Sequence, residues 1–281
     1  MSPRALLAGC GDLGTEVGLR LRAAGSEVTG IRRRADLLPR AFGRQSVDLR
    51  RDRPFVARDT SLVVVALTAG DRTAAAYRAS YLDGLRNVLD AVDASGADPR
   101  ILLVSSTAVY DVDDGSPVDE STEATGRTPT GAVLLETEAL LRERVPGGVI
   151  LRLGGIYGPG RERLIEQVRQ GGIREPNDSP FTNRIHRDDA ARAVVHLSGL
   201  DEPPHLVLGV DDEPARLVDV LSFVAREIGA ETPVAGSRGR GPRGSKRCGN
   251  ALLRSTGFDF VYPTYREGYR AVLRGDGLRH P

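Results

Sequence analysis

The stretch Arg4-Ala5-Leu6-Leu7-Ala8-Gly9-Cys10-Gly11-Asp12-Leu13-Gly14-Thr15-Glu16-Val17-Gly18 decides how the rest of the chain is read. Residues 5–8 form an apolar run of the right length for a buried strand. Gly9-x-Gly11-x-x-Gly14 follows at once, and Leu13, Val17, Leu19 and Leu21 then recur among charged residues as one helix face. Strand, glycine turn and helix in this order predict the opening unit of a dinucleotide-binding fold. Gly9 allows the tight turn, and Gly11 lets a pyrophosphate approach the backbone. Gly14 lets the helix pack close to the strand, and the first helical turn at Asp12 and Leu13 faces the anion.

The chain has 281 residues, 40% hydrophobic and 27% charged, which suits one large α/β domain with a smaller satellite. A formal net charge of +1 gives no case for a nucleic-acid or membrane partner, and no apolar run has the length of a transmembrane helix. Two cysteines and four scattered histidines make neither a disulfide framework nor a metal cluster, and fit a cytoplasmic protein. Leu6-Leu7-Ala8-Gly9-Cys10 has the look of a lipoprotein cleavage box, but the apolar run before it is too short for a signal peptide. Lysine is nearly absent, Lys246 being the single one.

Residues 27–31 read as the second strand, after a helix end at Ala23-Ala24-Gly25. A carboxylate closing this strand would bind a ribose 2′-hydroxyl, whereas arginine accepts a 2′-phosphate. Here the chain runs Ile31-Arg32-Arg33-Arg34, so NADP(H) is expected ahead of NAD(H), with Arg32 and Arg33 as the clamp. Residues 46–49 read as a short third strand that brings Asp48, with Leu49 beside it, to the adenine edge. Residues 62–67 are a buried parallel strand ending in Leu67, Thr68, Ala69 and Gly70, where the cofactor would cross the sheet. Residues 77–92 read as helix, 101–104 as the fifth strand, 134–144 as helix and 148–153 as strand. This alternation predicts a doubly wound parallel Rossmann sheet. Residues 236–244 (GSRGRGPRG) read as a mobile loop.

Several further stretches resemble the short-chain dehydrogenase/reductase superfamily, in its extended and atypical branch of the NAD-dependent epimerase/dehydratase type. Tyr81-Leu82-Asp83-Gly84-Leu85-Arg86-Asn87-Val88-Leu89 is similar to that family's fourth-helix signature, with Tyr81 in place of the usual Asn. Ser105-Ser106-Thr107-Ala108-Val109-Tyr110 matches its S-S-x-x-V-Y strand end. Arg152 to Arg161 matches its R-x-x-x-x-Y-G-P-G turn, and Ile185-His186-Arg187-Asp188-Asp189-Ala190-Ala191 its I-H-x-x-D-x-A segment. The resemblance implies an interleaved organisation. Residues 1–154, with 183–204 returning to them, would hold the nucleotide. Residues 155–182 and 205–281 would form a small substrate lobe.

The resemblance also shows what is missing. The family's Tyr-x-x-x-Lys pair does its acid–base work, the lysine lowering the tyrosine pKa. Counting back from Glu138, Thr130 stands at the Tyr position and Leu134 at the Lys position, and neither can do that job. Ser106 stands at the family's catalytic Ser/Thr. Sugar-nucleotide dehydratases carry Thr-Asp-Glu where this chain has Ser106-Thr107-Ala108, which argues against 4,6-dehydration. The substitute acids are Tyr157 and Tyr110. His186 is expected to brace the two lobes, Asp189 to cap or tie its helix, and Arg161 and Arg163 to meet an anionic group or solvent. Two functions stay open: an NADP(H)-dependent oxidoreductase or epimerase-like enzyme on a small organic substrate, and a noncatalytic NADP(H)-binding sensor. A monomer or homodimer is expected.

Overall fold

The computed structural model describes residues 2–175, 178–236 and 244–281. Most of the loop expected over 236–244 therefore lies outside the described residues. In chain order the strands that matter here are β1 (Arg4–Ala8), β2 (Glu27–Arg32), β3 (Gly43–Ser46), β4 (Thr60–Val65), β5 (Arg100–Ser106), β6 (Val149–Leu153), β7 (Gly155–Tyr157), β8 (Arg184–His186) and β9 (Leu206–Gly209). Seven form one parallel sheet in the order β3-β2-β1-β4-β5-β6-β9, while β7 and β8 pair with each other. The helices are α1 (Asp12–Ala23), α2 (Ala74–Tyr77), α3 (Gly84–Ser95), α4 (Pro129–Arg144), α5 (Arg163–Gln170), α6 (Arg187–Gly199), α7 (Leu217–Ile228), α8 (Ala251–Ser255) and α9 (Tyr265–Arg274). This is a Rossmann-type doubly wound α/β fold. The strand order reverses between β1 and β4, and such a switch point opens a crevice at the carboxyl ends of the strands.

The two faces of the sheet follow from strand alternation. Ala5 and Leu7 of β1 point to one side and pack with Leu13, Val17 and Leu21 of α1 and Ala190, Val194 and Leu197 of α6. Leu6 and Ala8 point to the other, with Leu85, Val88 and Leu89 of α3 and Leu141 of α4. A third core joins Ile165 and Val168 of α5, Val220, Leu221 and Val224 of α7, and Tyr265 and Tyr269 of α9.

Several local expectations differ from what is observed, among them the helix expected over 134–144, which begins at Pro129 behind a Thr128 cap. The third strand ends at Ser46, not Leu49, because the Asp48 carboxylate accepts the Arg50 backbone N–H (3.3 Å) and guanidinium (2.8 Å) and so bends the chain out of the ladder. The helix expected over 77–92 begins earlier and contains a π-helical stretch, Arg78–Asp83, before α3. Leu19 of α1 is exposed. Residues 206–209, assigned to the substrate lobe by resemblance, are the seventh strand of the large sheet, since all but Leu206 are fully buried against β6.

Three segments fasten the structure around α1. Its neighbour α6 is capped by His186, whose Nδ1 accepts the Asp188 N–H (3.2 Å), and Asp189 accepts the N–H groups of Val261 (2.9 Å) and Tyr262 (2.8 Å). Residues 276–281 then run back across α1. Arg187 donates to the Leu278 carbonyl (2.8 Å), His280 Nε2 meets Glu16 (2.8 Å), and Arg32 donates to the Pro281 carbonyl (2.7 Å).

Candidate cofactor and substrate site

The glycine turn has the geometry its spacing predicts. Gly9 sits at φ +83°, and a Cβ there would come 2.6 Å from the Ala66 carbonyl oxygen. Gly11 is the N-cap of α1 and supplies no side-chain cap, so the first-turn N–H groups are offered to whatever lies in front of them. A Cβ on Gly11 would meet no protein atom within 4 Å. That open space belongs to a cleft of about 250 Å³ lined by Gly9, Gly11, Asp12, Leu13, Gly14, Leu67 and Thr68. An uncapped helix N-terminus facing a cleft that only a missing side chain keeps open fits a dinucleotide pyrophosphate.

One side of the cleft is charged. The Asp12 carboxylate accepts Arg161 Nε (2.7 Å), Arg187 Nη1 (2.8 Å) and the His280 backbone N–H (3.1 Å). Two guanidinium groups thus offset the acid that stands beside the expected pyrophosphate position. Arg161 lines the cleft itself. Arg163 begins α5 and is not among the lining residues.

The remaining wall is formed by Val104, Ser105, Ser106, Leu134, Leu153, Gly154 and Ile156, with Tyr81. Ser106 ends β5, and its Oγ accepts the Ala108 N–H (3.2 Å), which leaves its own proton free. Behind it lies a fully buried network. Glu138 of α4 accepts Ser105 Oγ (2.6 Å), Arg152 Nε (2.9 Å) and Arg152 Nη2 (2.6 Å), tying β5, α4 and β6 together. The Arg152 guanidinium also stacks over the Tyr110 ring at 4.8 Å.

Neither substitute tyrosine lines the cleft. The Tyr110 ring is buried and its hydroxyl donates to the Asp119 carbonyl (3.1 Å). Tyr157 is stacked on Tyr269 with ring centres 4.6 Å apart and lies edge-on to His186 at 5.4 Å. Its hydroxyl rests where a side chain on Gly268 would be, 1.8 Å from that position, and burial raises its pKa far above the phenol value. Burial likewise holds His186 well below the usual imidazole value, as suits a bracing residue.

Other expected cofactor residues stand outside the cleft lining. Arg32 ends β2, Arg33 is exposed, and Ala69 follows Thr68. Asp48 is held to about 2 chiefly by Arg50, and Leu49 is buried with its carbonyl accepting Asn87 Nδ2 (2.9 Å). Among the lining residues, Tyr81 carries no site role in the sequence, while Leu134 stands at the vacant lysine position. The signal for Tyr81 was that the resembled family has Asn there. No cluster of metal-ligating side chains occurs among the described residues.

The chain belongs to the NAD dependent epimerase/dehydratase family, whose profile matches residues 5–209. Among curated proteins it is similar to a 3-diazoavenalumate denitrifying reductase of a Streptomyces species, 30% identical over 256 residues, 82% of this chain and 83% of that one. Among solved structures it is similar to a protein from Methylobacillus flagellatus described as an NAD-dependent epimerase/dehydratase. That protein is 34% identical with a TM-score of 0.80, over 98% of this chain and 99% of that chain. The UDP-glucuronic acid 4-epimerase of Bacillus cereus, solved with NAD, shares the fold at 16% identity and a TM-score of 0.77, over 98% of this chain and 100% of that chain. No helix among the described residues is long and apolar enough to cross a membrane.

Proposed function

We propose that the chain is a nicotinamide-dependent reductase that transfers hydride to a small electrophile without forming a strongly basic alkoxide. The observation that carries this is Leu134, a cleft-lining side chain where lysine would tune a catalytic tyrosine. A ketone taking hydride needs an acid of suitable strength at its oxygen in the same step, and a leucine cannot bring a phenol's pKa down to supply one. The diazo relative adds chemical sense. A bound nicotinamide would supply the hydride; on an arenediazonium carbon the new C–H bond would replace the C–N bond, whose electron pair would leave with N₂, and no alkoxide would arise.

In this reading Gly9, Gly11, Asp12, Leu13 and Gly14 hold the pyrophosphate, and Leu67, Thr68 and Ala69 line the path to the nicotinamide. Asp48 and Leu49 border the adenine, and Ser106 stands at the reacting end. Residues 1–154 and 183–209 serve the cofactor side, while 155–182 and 210–281 shape the substrate side. Tyr157 and Tyr110 act as positioning residues through their packing.

The test is anaerobic oxidation of 4-deuterated NADPH, both epimers, with 4-carboxybenzenediazonium and, separately, ethyl acetoacetate. One N₂ per NADPH consumed and deuterium on the arene carbon are expected, with the ketone at least 100-fold slower. Equal ketone turnover, or no deuterium in the arene, overturns the reading. Tight NADPH binding with neither substrate turned over gives the place to the noncatalytic sensor.

The cofactor is NADP(H) in preference to NAD(H), on the strength of Arg32 and Arg33. Charge-assisted hydrogen bonds to a 2′-phosphate contribute roughly 1.5–3 kcal/mol, about ten- to a hundred-fold in affinity. Replacing both arginines by alanine should weaken NADPH by that factor and leave NADH unchanged in a fluorescence titration. Equal affinities in the unsubstituted protein would sink this preference.

A further inference from the structure

The cleft holds one phenol, that of Tyr81, and the local backbone is unusual where that phenol is delivered. Tyr81 lies within the π-helical stretch Arg78–Asp83, between α2 and α3. Such a stretch inserts an extra residue into a turn and is found frequently at functional sites. Here its effect is to bring Tyr81 to the cleft wall that also contains Ser106 and Leu134. The ring is held in place by Tyr77, whose centre is 5.1 Å away. The Ala69 backbone pulls the Tyr81 phenol slightly down against the larger rise from burial, which leaves the hydroxyl its proton. Burial pushes this phenol up to about 12, which keeps it neutral and protonated across the working pH range. Ser106 has the same polarity, its oxygen occupied by the Ala108 N–H and its proton free.

Asp12 is the one carboxylate among the lining residues, and it is engaged by Arg161 and Arg187. The far wall therefore presents two neutral donors and an apolar surface. That combination rewards an anionic or strongly polarised oxygen, because burying an oxyanion is costly unless hydrogen bonds are aimed at it.

We propose that Tyr81, with Ser106, forms an oxyanion-binding pair that anchors a phenolate-type oxygen of the substrate, conjugated with the carbon that takes hydride. This deepens the reductase reading and rests on it for the identity of the reacting carbon. Tyr81 donates a hydrogen bond without giving up its proton. The substrate class is an electron-poor aromatic that carries an oxygen, and an arene lacking that oxygen loses the anchor.

The experiment uses the full chain saturated with NADP⁺ and a probe that cannot be reduced by it. 4-Nitrophenol is titrated by its phenolate absorbance, with 4-nitroanisole as the control that has no oxyanion. The intact protein should bind the phenolate at least ten-fold more tightly than the anisole and lower the apparent pKa of the bound phenol. Tyr81→Phe, which keeps the ring against Tyr77, should weaken the phenolate about ten-fold or more and leave the anisole unchanged. Ser106→Ala should act in the same direction. No binding of 4-nitrophenolate, equal binding of the two probes, or an unaltered Tyr81→Phe variant would overturn the proposal. Phenolate binding that depends on Tyr81, in a protein that fails to reduce the diazonium probe, would refute the reductase reading and leave the anchor standing.

Discussion

Gly11 shows how far a single residue can be taken. Its missing side chain does nothing for the packing of the protein, since a Cβ would touch no atom within 4 Å. Its value lies in the space in front of α1. Gly11→Val should therefore leave the far-ultraviolet circular dichroism nearly unchanged and abolish NADPH binding. Valine that still allows binding would place the nucleotide elsewhere. Gly9 differs, because a side chain there would strike the Ala66 carbonyl and a positive φ would be strained. The tight turn at Gly9 was readable from spacing alone, as was the position of Ser106 at a strand end. The packing of Tyr157 was not readable. Its place in a Y-G-P-G turn says nothing of Tyr269 and Gly268, more than a hundred residues away, which close over its ring and hydroxyl.

At the scale of elements, strands were legible because buried parallel strands are continuous apolar runs, as residues 62–67 are. The segment expected to return to the nucleotide domain, 183–204, does hold a helix, α6 at Arg187–Gly199. What escaped was decided by side chain–backbone competition and by tertiary contact. Asp48 bends the chain after β3, and the π-helical stretch before α3 leaves no periodic mark long enough to read. One buried tie between elements is the Glu138 carboxylate, which joins α4 to β5 and β6 through Ser105 and Arg152. Removing one partner of such a buried pair strands the other charge. Glu138→Ala should cost about 3–5 kcal/mol in urea denaturation. Glu138→Leu combined with Arg152→Met should recover most of that loss. A single substitution that costs under about 1 kcal/mol would show that the network contributes nothing net.

At the scale of the molecule, β9 and the chain just after it connect the large sheet to the third core. Asp211 lies there, fully buried, its backbone N–H donating to the Arg184 carbonyl (2.7 Å). Burial pushes its carboxyl up to about 8, against the pull of the Arg184 charge, with Asp212 and Glu213 adding to the rise. In the unfolded chain an aspartate ionises near 4. Between about pH 4 and pH 8 the unfolded state thus binds fewer protons than the folded one, and stability falls as pH rises, by at most about 1.4 kcal/mol per pH unit. Asp211→Asn should raise the melting temperature at pH 8 and flatten its decline from pH 5 to pH 8. A variant with an unchanged slope would show that Asp211 is ionised in the folded protein.

The run of residues 276–281 across α1 has a consequence in time. Asp12 and His280 are 268 positions apart, yet they meet at the mouth of the nucleotide cleft. At ribosomal rates that separation corresponds to on the order of 15 to 50 s of synthesis. Throughout that interval the glycine turn exists as sequence while its Asp12 carboxylate still lacks the contact from residue 280, and for most of it the guanidinium groups of Arg161 and Arg187. On the proposed placement of the pyrophosphate, a nascent chain would present an acid where the cofactor brings negative charge, and the two would repel. The nucleotide would then join and stabilise only molecules whose assembly around α1 is finished.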